Sequence, residues 1–373
     1  MNRETRRRLL LGSFILDTQQ AALFEQQSVL FPRWPTETVS AHVANLPYPC
    51  DKELWECRQV DDWAELPGSY HHISLSSMAD PNGYDDLDSL DSFRSRLILA
   101  YLATTRSDED SDSNSKLAAF GQHITNQDRS GRYAGTKFDS HAHAAAQHTP
   151  VRSLLTVSGE SWLFGKKLVH KDDFHAAKAQ LRAWLGSSRA QAALWHAIAL
   201  LRMVFGSNEP SSTLAQAAAY DVGRQDRCLG MLHEEWCIYV AVLICWACTF
   251  RESSAADSLV ASSFSSSIAS TSMLSPLLSG ATTPATTVSS AVGYPLLMDP
   301  VDADAEMRTF LLVTDVGEAS EVSVAFGRVK GQIKGLLEVV RTRKLNGSLG
   351  GLLNEASGVL YRLVEGRSTF SHF

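Results

Sequence analysis

Asp139-Ser140-His141-Ala142-His143 places three potential metal ligands within five residues. On a β-strand, residues i, i+2 and i+4 share one face, so an Asp-x-His-x-His can aim two imidazoles and a carboxylate at one divalent ion. A hydrolase uses such an ion to activate water. In barrel enzymes that chemistry needs a strand before the motif and alternating strands and helices after it. Here the preceding GRYAGTKF is polar and glycine-broken, and helical patterns follow. The expectation is therefore a polar loop, with no catalytic residue and no metal ligand. A metal-dependent hydrolase built on this motif is the alternative reading.

Other groups that could do chemistry lack their partners. Cys245-Trp246-Ala247-Cys248 has the spacing of a zinc knuckle or redox pair, but IYVAVLI precedes it and no second Cys or His pair stands nearby. Apolar surroundings raise a thiol pKa and leave it inert, so these cysteines read as core residues. Cys50 and Cys57 lack the paired Cys-x-x-Cys of a binuclear zinc cluster, and the six cysteines behave as reduced, buried side chains rather than a disulfide framework. His233-Glu234-Glu235 misses the second histidine of a metalloprotease helix, Val157–Ser161 is no nucleophile elbow, and no phosphate-cradling glycine loop occurs. Trp162, Trp184, Trp195, Trp236 and Trp246 fall on apolar faces and read as packing, with lining of a ligand pocket as the alternative.

The elements around these groups are helical. Ala190, Ala193, Leu194, Ala197, Leu201, Val204 and Phe205 recur at three- and four-residue spacing, with Ser187 or Ser188 as the cap and Gly206 as the stop. Phe174 to Leu185 and Leu352 to Leu363 repeat the pattern, and Glu321–Phe326 shows the only moderate period-two alternation. The fold class predicted is all-α: a multi-helix domain with disordered polar insertions. Residues 1–103 form a first helical part and 151–251 a helical core. Residues 293–373 are helices that pack on it. Between them, 104–150 reads as an acidic and His-rich disordered insertion and 252–292 as a Ser/Thr-rich disordered linker, since such compositions bury too little to offset ordering entropy. Trp236–Phe250 is too short to span a bilayer, which needs about 20 apolar residues.

Formal net charge is −7, and apart from Arg6–Arg8 and Arg341–Lys344 no basic cluster is evident. A duplex-binding surface needs concentrated Lys and Arg, so this chain alone should bind DNA poorly. MNRETRRRLLLGSFIL mimics a secretory leader, yet Asp17 ends its apolar run and no small-residue cleavage site follows. It reads instead as a helix in which Leu9–Leu16 is buried on most sides and one or two of the arginines pair with Glu4 or Asp17. Downstream, Pro47 and Pro49 stiffen an extended lead-in that opens a new helix at Asp51 and delivers Trp55 to a fixed place.

The order RRRLLLGSFILD, then LPYPCDKELWE, resembles the second half of the middle homology region of fungal-specific transcription factors. The family-motif positions are Arg6, Arg7, Arg8, Asp17, Pro47, Pro49 and Trp55. Thr149–Leu168, Trp236–Phe250 and Gly351–Phe373 resemble the C-terminal regions of the branch whose DNA-binding part is a pair of two-Cys two-His zinc fingers. The resemblance implies a non-enzymatic, nuclear regulatory domain of a factor that controls RNA polymerase II transcription. No DNA-binding residue is assigned in this chain, which begins inside the homology region. Zinc is expected only in an upstream finger region. The partners implied are DNA through that missing or separate region, the transcription machinery and a second copy in a homodimer, with no membrane. A finger-less interaction protein is a further alternative.

Overall fold

Every residue from Trp236 to Cys248 is buried, so this helix has no solvent face and must lie at the centre of a layered bundle. The computed structural model describes residues 2–29, 45–50, 55–56, 74–79, 91–104, 111–127, 133–159, 162–163, 166–167, 170–206, 233–250, 294–346 and 350–367. In chain order the elements are α1 (Asn2–Phe24), α2 (Leu75–Met78), α3 (Ser92–Thr104), α4 (Ser111–Gln127), α5 (Ala134–His148) and α6 (Val151–Ser158). A two-residue hairpin, β1 (Trp162–Leu163) and β2 (Lys166–Lys167), follows. Then come α7 (Lys171–Leu185), α8 (Ser188–Phe205), the central α9 (Glu234–Cys248), α10 (Pro300–Val313), α11 (Ala319–Val329), α12 (Ile333–Arg343) and α13 (Gly351–Val364). The fold is all-α, as expected; the hairpin is its one sheet among the described residues.

Two apolar cores organise it. The larger joins α5 to α13 around α9, with Leu194, Leu201, Ile238, Val242, Phe310 and Leu336 fully enclosed. The smaller sits between α1, α3 and α4 on Leu11, Phe14, Leu97, Ile98, Phe120 and Ile124. Each such side chain contributes on the order of 1.5–3 kcal/mol by leaving water. The two cores are joined at the end of α1: Phe24 stacks on Trp236 at 5.0 Å between ring centroids, and Trp236 Nε1 donates to the Leu23 carbonyl at 3.3 Å. The return from residue 294 is fixed by a buried pair, Glu338 and Arg341, which binds the Tyr294 and Pro295 carbonyls and the Leu297 amide.

Local sequence explains the element ends. Ser187 caps α8 by accepting the Ala190 amide, and Gly206 closes it by donating to the Arg202 carbonyl. Asp299 caps α10 ahead of Pro300 at the first turn, where the missing N–H costs nothing. The Trp236–Phe250 segment is a core helix, and among the described residues no helix is long and apolar enough to cross a membrane.

Two expectations are overturned. Residues 104–150 are not a disordered insertion: α4 and α5 occupy much of that span, and α5 buries Phe138, Ala142, Ala145 and Ala146. The helical period was masked because Asp139 and His143, also buried, interrupt the apolar stripe. In keeping with the all-α expectation, the Glu321–Phe326 alternation lies in α11, whose buried positions Val322, Ala325, Phe326 and Val329 have helical spacing. Leu9–Leu16 is not buried on most sides either: Leu9 is 66% exposed and Leu10 44%, and the stripe inside is Leu11, Phe14 and Ile15. The linker at 252–292 lies outside the described residues, as do Cys57 and Cys228.

Candidate functional site

Because Asp139, His141 and His143 lie on a helix, they cannot converge. At 3.6 residues per turn, Asp139 and His143 share a face while His141 lies about 200° from Asp139, on the opposite side. Asp139 and His143 point inward. Asp139 is fully buried and pairs with Arg96 of α3 at 2.9 Å, Nε to Oδ2. Its Oδ1 and the Nδ1 of His143 have no hydrogen-bond partner among the described residues. Burial pushes the Asp139 carboxyl up to about 7 against the lowering pull of Arg96, and pushes His143 down to about 4. Gly135 makes room for this pair: a Cβ there would come within 2.5 Å of the Arg96 guanidinium. Among the described residues no three His, Cys, Asp or Glu side chains form a group that could hold a metal ion.

His141 faces the other way, across the α5–α8 contact. Its Nδ1 lies 3.0 Å from Nδ1 of His196, so one ring donates and the other accepts. His148, seven residues on and thus on the same face as His141, lies nearly parallel to His196 at 6.2 Å between centroids. Trp195 meets His196 edge-on at 4.8 Å. Burial lowers His141 to about 4, with Lys137 adding to the fall, and lowers His196 to about 3, with the two other imidazoles adding. Both rings are therefore neutral near pH 7. These side chains line a pocket of about 610 Å³ closed by α4 on one side and by the start of α11 on the other.

The walls of this pocket are held from behind. Trp195 Nε1 donates to the Val316 carbonyl at 3.3 Å, Arg202 pairs with Asp315, and Gln191 donates to Ser323 at 3.1 Å, so α8 carries the turn that leads into α11. The last carbonyls of α5 are also satisfied: Arg189 binds that of Gln147 at 2.7 Å, and Trp184 Nε1 that of His148 at 2.6 Å. Lys137, Ser140 and Gln147 complete the α5 side, with Gln122 and Asn126 from α4 opposite.

Of the family-motif positions, Arg7, Arg8 and Trp55 meet in a separate network at the amino end. Glu4 is its hub, accepting from Arg7 at 2.9 Å, from Arg8 Nε at 3.2 Å and from the Cys50 amide at 3.0 Å. Arg8 also donates to the Cys50 carbonyl and lies over the rings of Trp55 and Phe93, at 4.8 and 5.3 Å. Arg6 is exposed. Asp17 accepts from Ser28 and from the Val29 amide at 2.9 Å, folding the chain back beyond the end of α1. Pro47 bridges to Ser74, and Pro49 is buried. Trp55 is helical and half-buried; Asp51, where its helix was placed, lies outside the described residues.

The described cysteines of the sequence reading, Cys50, Cys237, Cys245 and Cys248, are buried. Burial drives the Cys237 and Cys245 thiols well above the ordinary range. Trp184, Trp236 and Trp246 are packing residues, whereas Trp195 lines the pocket. Sequence reasoning singled out neither His148 nor His196. The i, i+7 spacing of His141 and His148 was a usable signal; the approach of His196, fifty-five residues away, was not.

The described residues thus form an all-helical module with two apolar cores, a pocket between α4, α5 and α8, and two arginines tied into its own fold. Residues 1–118 match the fungal specific transcription factor domain. The nicotinate catabolism cluster-specific transcription factor of Emericella nidulans is 24% identical over 294 residues, which cover 68% of this chain. The aligned region spans 31% of that relative's length. No solved structure matches.

Proposed function

We propose that this chain is the non-enzymatic regulatory part of a nuclear fungal transcription factor that controls RNA polymerase II transcription. The observation that carries the reading is the domain match over residues 1–118, together with a relative that is named a transcription factor. The chemistry is consistent with it. Arg7 and Arg8 are engaged by Glu4 and Cys50 rather than presented to a phosphate backbone. DNA contact belongs to a zinc-finger region, of the two-Cys two-His kind, outside this sequence. The transcription machinery and a second copy of the chain are the proposed partners. A metal-dependent hydrolase is disfavoured by the opposed faces of Asp139 and His141.

Fusion of the chain to a heterologous DNA-binding domain, read on a reporter promoter in yeast, tests the proposal. The fusion should change reporter output by about fivefold or more relative to the DNA-binding domain alone. Output indistinguishable from that control sinks the regulatory reading.

A further inference from the structure

We propose that the pocket between α4, α5, α8 and the start of α11 binds an uncharged planar heterocycle, whose edge is read by amide, hydroxyl and imidazole groups and whose ring lies against the Trp195–His196–His148 wall. As the effector site of a regulatory domain it deepens the function proposed above and rests on it.

Size is the first argument. A volume of about 610 Å³ falls within the roughly 300–1,000 Å³ of small-molecule sites and suits a guest of one to three fused rings. Preorganisation is the second: three of the walls are helices, and the fourth is held to α8 through Trp195, Arg202 and Gln191. A guest then meets groups that are already fixed, which lowers the ordering cost of binding.

Charge and hydrogen bonding set the class. Among the lining residues Lys137 and Glu318 cancel, and the half-buried His141 and His196 are neutral, so a net charge on the guest gains nothing. Gln122, Asn126, Ser140 and Gln147 offer both donors and acceptors. The His141–His196 contact uses one Nδ1 proton and leaves one Nε2 as acceptor and the other as donor. A purely apolar guest would bury the His141 and His196 Nε2 groups unpaired, at about 1–3 kcal/mol each. An aromatic guest with donors and acceptors on its edge satisfies them and stacks on the ring wall.

Binding of benzimidazole, adenine and quinazolin-4-one to the purified chain at pH 7.5, followed by saturation-transfer NMR and calorimetric titration, tests the proposal. Benzoate serves as the charged control and toluene as the apolar one. At least one heterocycle should bind saturably with Kd of about 1 mM or tighter. Binding should weaken by about tenfold or more in His196→Leu and in Ala192→Phe, which fills the pocket from α8. Ala192→Phe, judged folded by an unchanged circular dichroism spectrum, guards against loss through misfolding of the histidine variant. Absence of binding by all three heterocycles overturns the proposal, as does equal affinity for benzoate or toluene, or retention of binding in Ala192→Phe. The reporter fusion reads none of these, so failure here leaves the regulatory reading separately testable.

Discussion

Arg8 Nη2 donates to the main-chain carbonyl of Cys50 at 2.6 Å, joining the first helix to a segment 42 residues away. The same guanidinium lies over Trp55 and is balanced by Glu4. Arg8→Ala should destabilise the chain by about 2–3 kcal/mol, because it removes a charge-assisted hydrogen bond and strands part of a buried carboxylate. The exposed Arg6→Ala should stay within about 0.5 kcal/mol. Urea unfolding midpoints compare the two directly, and equal effects would show that Arg8 is not structural.

Arg96→Met should cost about 3–5 kcal/mol at pH 7.5, since it leaves the Asp139 carboxylate buried without its counter-charge. The loss should shrink at pH 5, where Asp139 takes up a proton and no longer needs the guanidinium. Chemical denaturation at the two pH values measures the difference; a pH-independent penalty would mean that the pair does not couple.

The pH dependence has opposing sources: the lowered histidines His141, His143 and His196 on one side and the raised Asp139 on the other. His143, held down at about 4 against an ordinary value of 6.5, contributes stability that is fully present above 6.5 and lost as pH falls towards 4. At pH 5 that loss is about 2 kcal/mol. Asp139, raised from 3.8 to about 7, behaves oppositely: its contribution is present below about 4 and is lost as pH rises through 7. His143→Gln should therefore flatten the fall in Tm between pH 7.5 and 5, and Asp139→Asn should steepen it. Parallel Tm curves for the three proteins would refute the assignment.

Duplex DNA should bind the isolated chain weakly and without sequence preference at physiological salt, given net charge −7 and arginines already bonded within the fold. Mobility shift is the measurement. Nanomolar sequence-specific binding, lost in the triple change of Arg6, Arg7 and Arg8 to Ala, would place a DNA-reading surface in this chain.

Class and chemistry separate cleanly in what could be read in advance. Helical spacing at Ala190–Phe205 and Leu352–Leu363 was legible because one apolar stripe per helix is a local pattern, written at every third or fourth residue. The Ser187 cap and the Gly206 stop were legible for the same reason. In α5 the local pattern misled: buried Asp139 and His143 look like loop residues until Arg96, from another helix, is seen beside the carboxylate.

Sequence by itself determined that the chain is helical and that Cys50, Cys237, Cys245 and Cys248 are core residues, and it carried the resemblance of the RRRLLLGSFILD and LPYPCDKELWE segments to a transcription-factor domain. Only the tertiary structure decided that Asp139 pairs with Arg96, that Arg8 reaches Cys50, and that His141, His148 and His196 share one pocket wall. The reason is physical. Secondary structure follows from contacts between near neighbours, whereas a side chain's partner, and hence its charge state, is set by which distant helix packs against it.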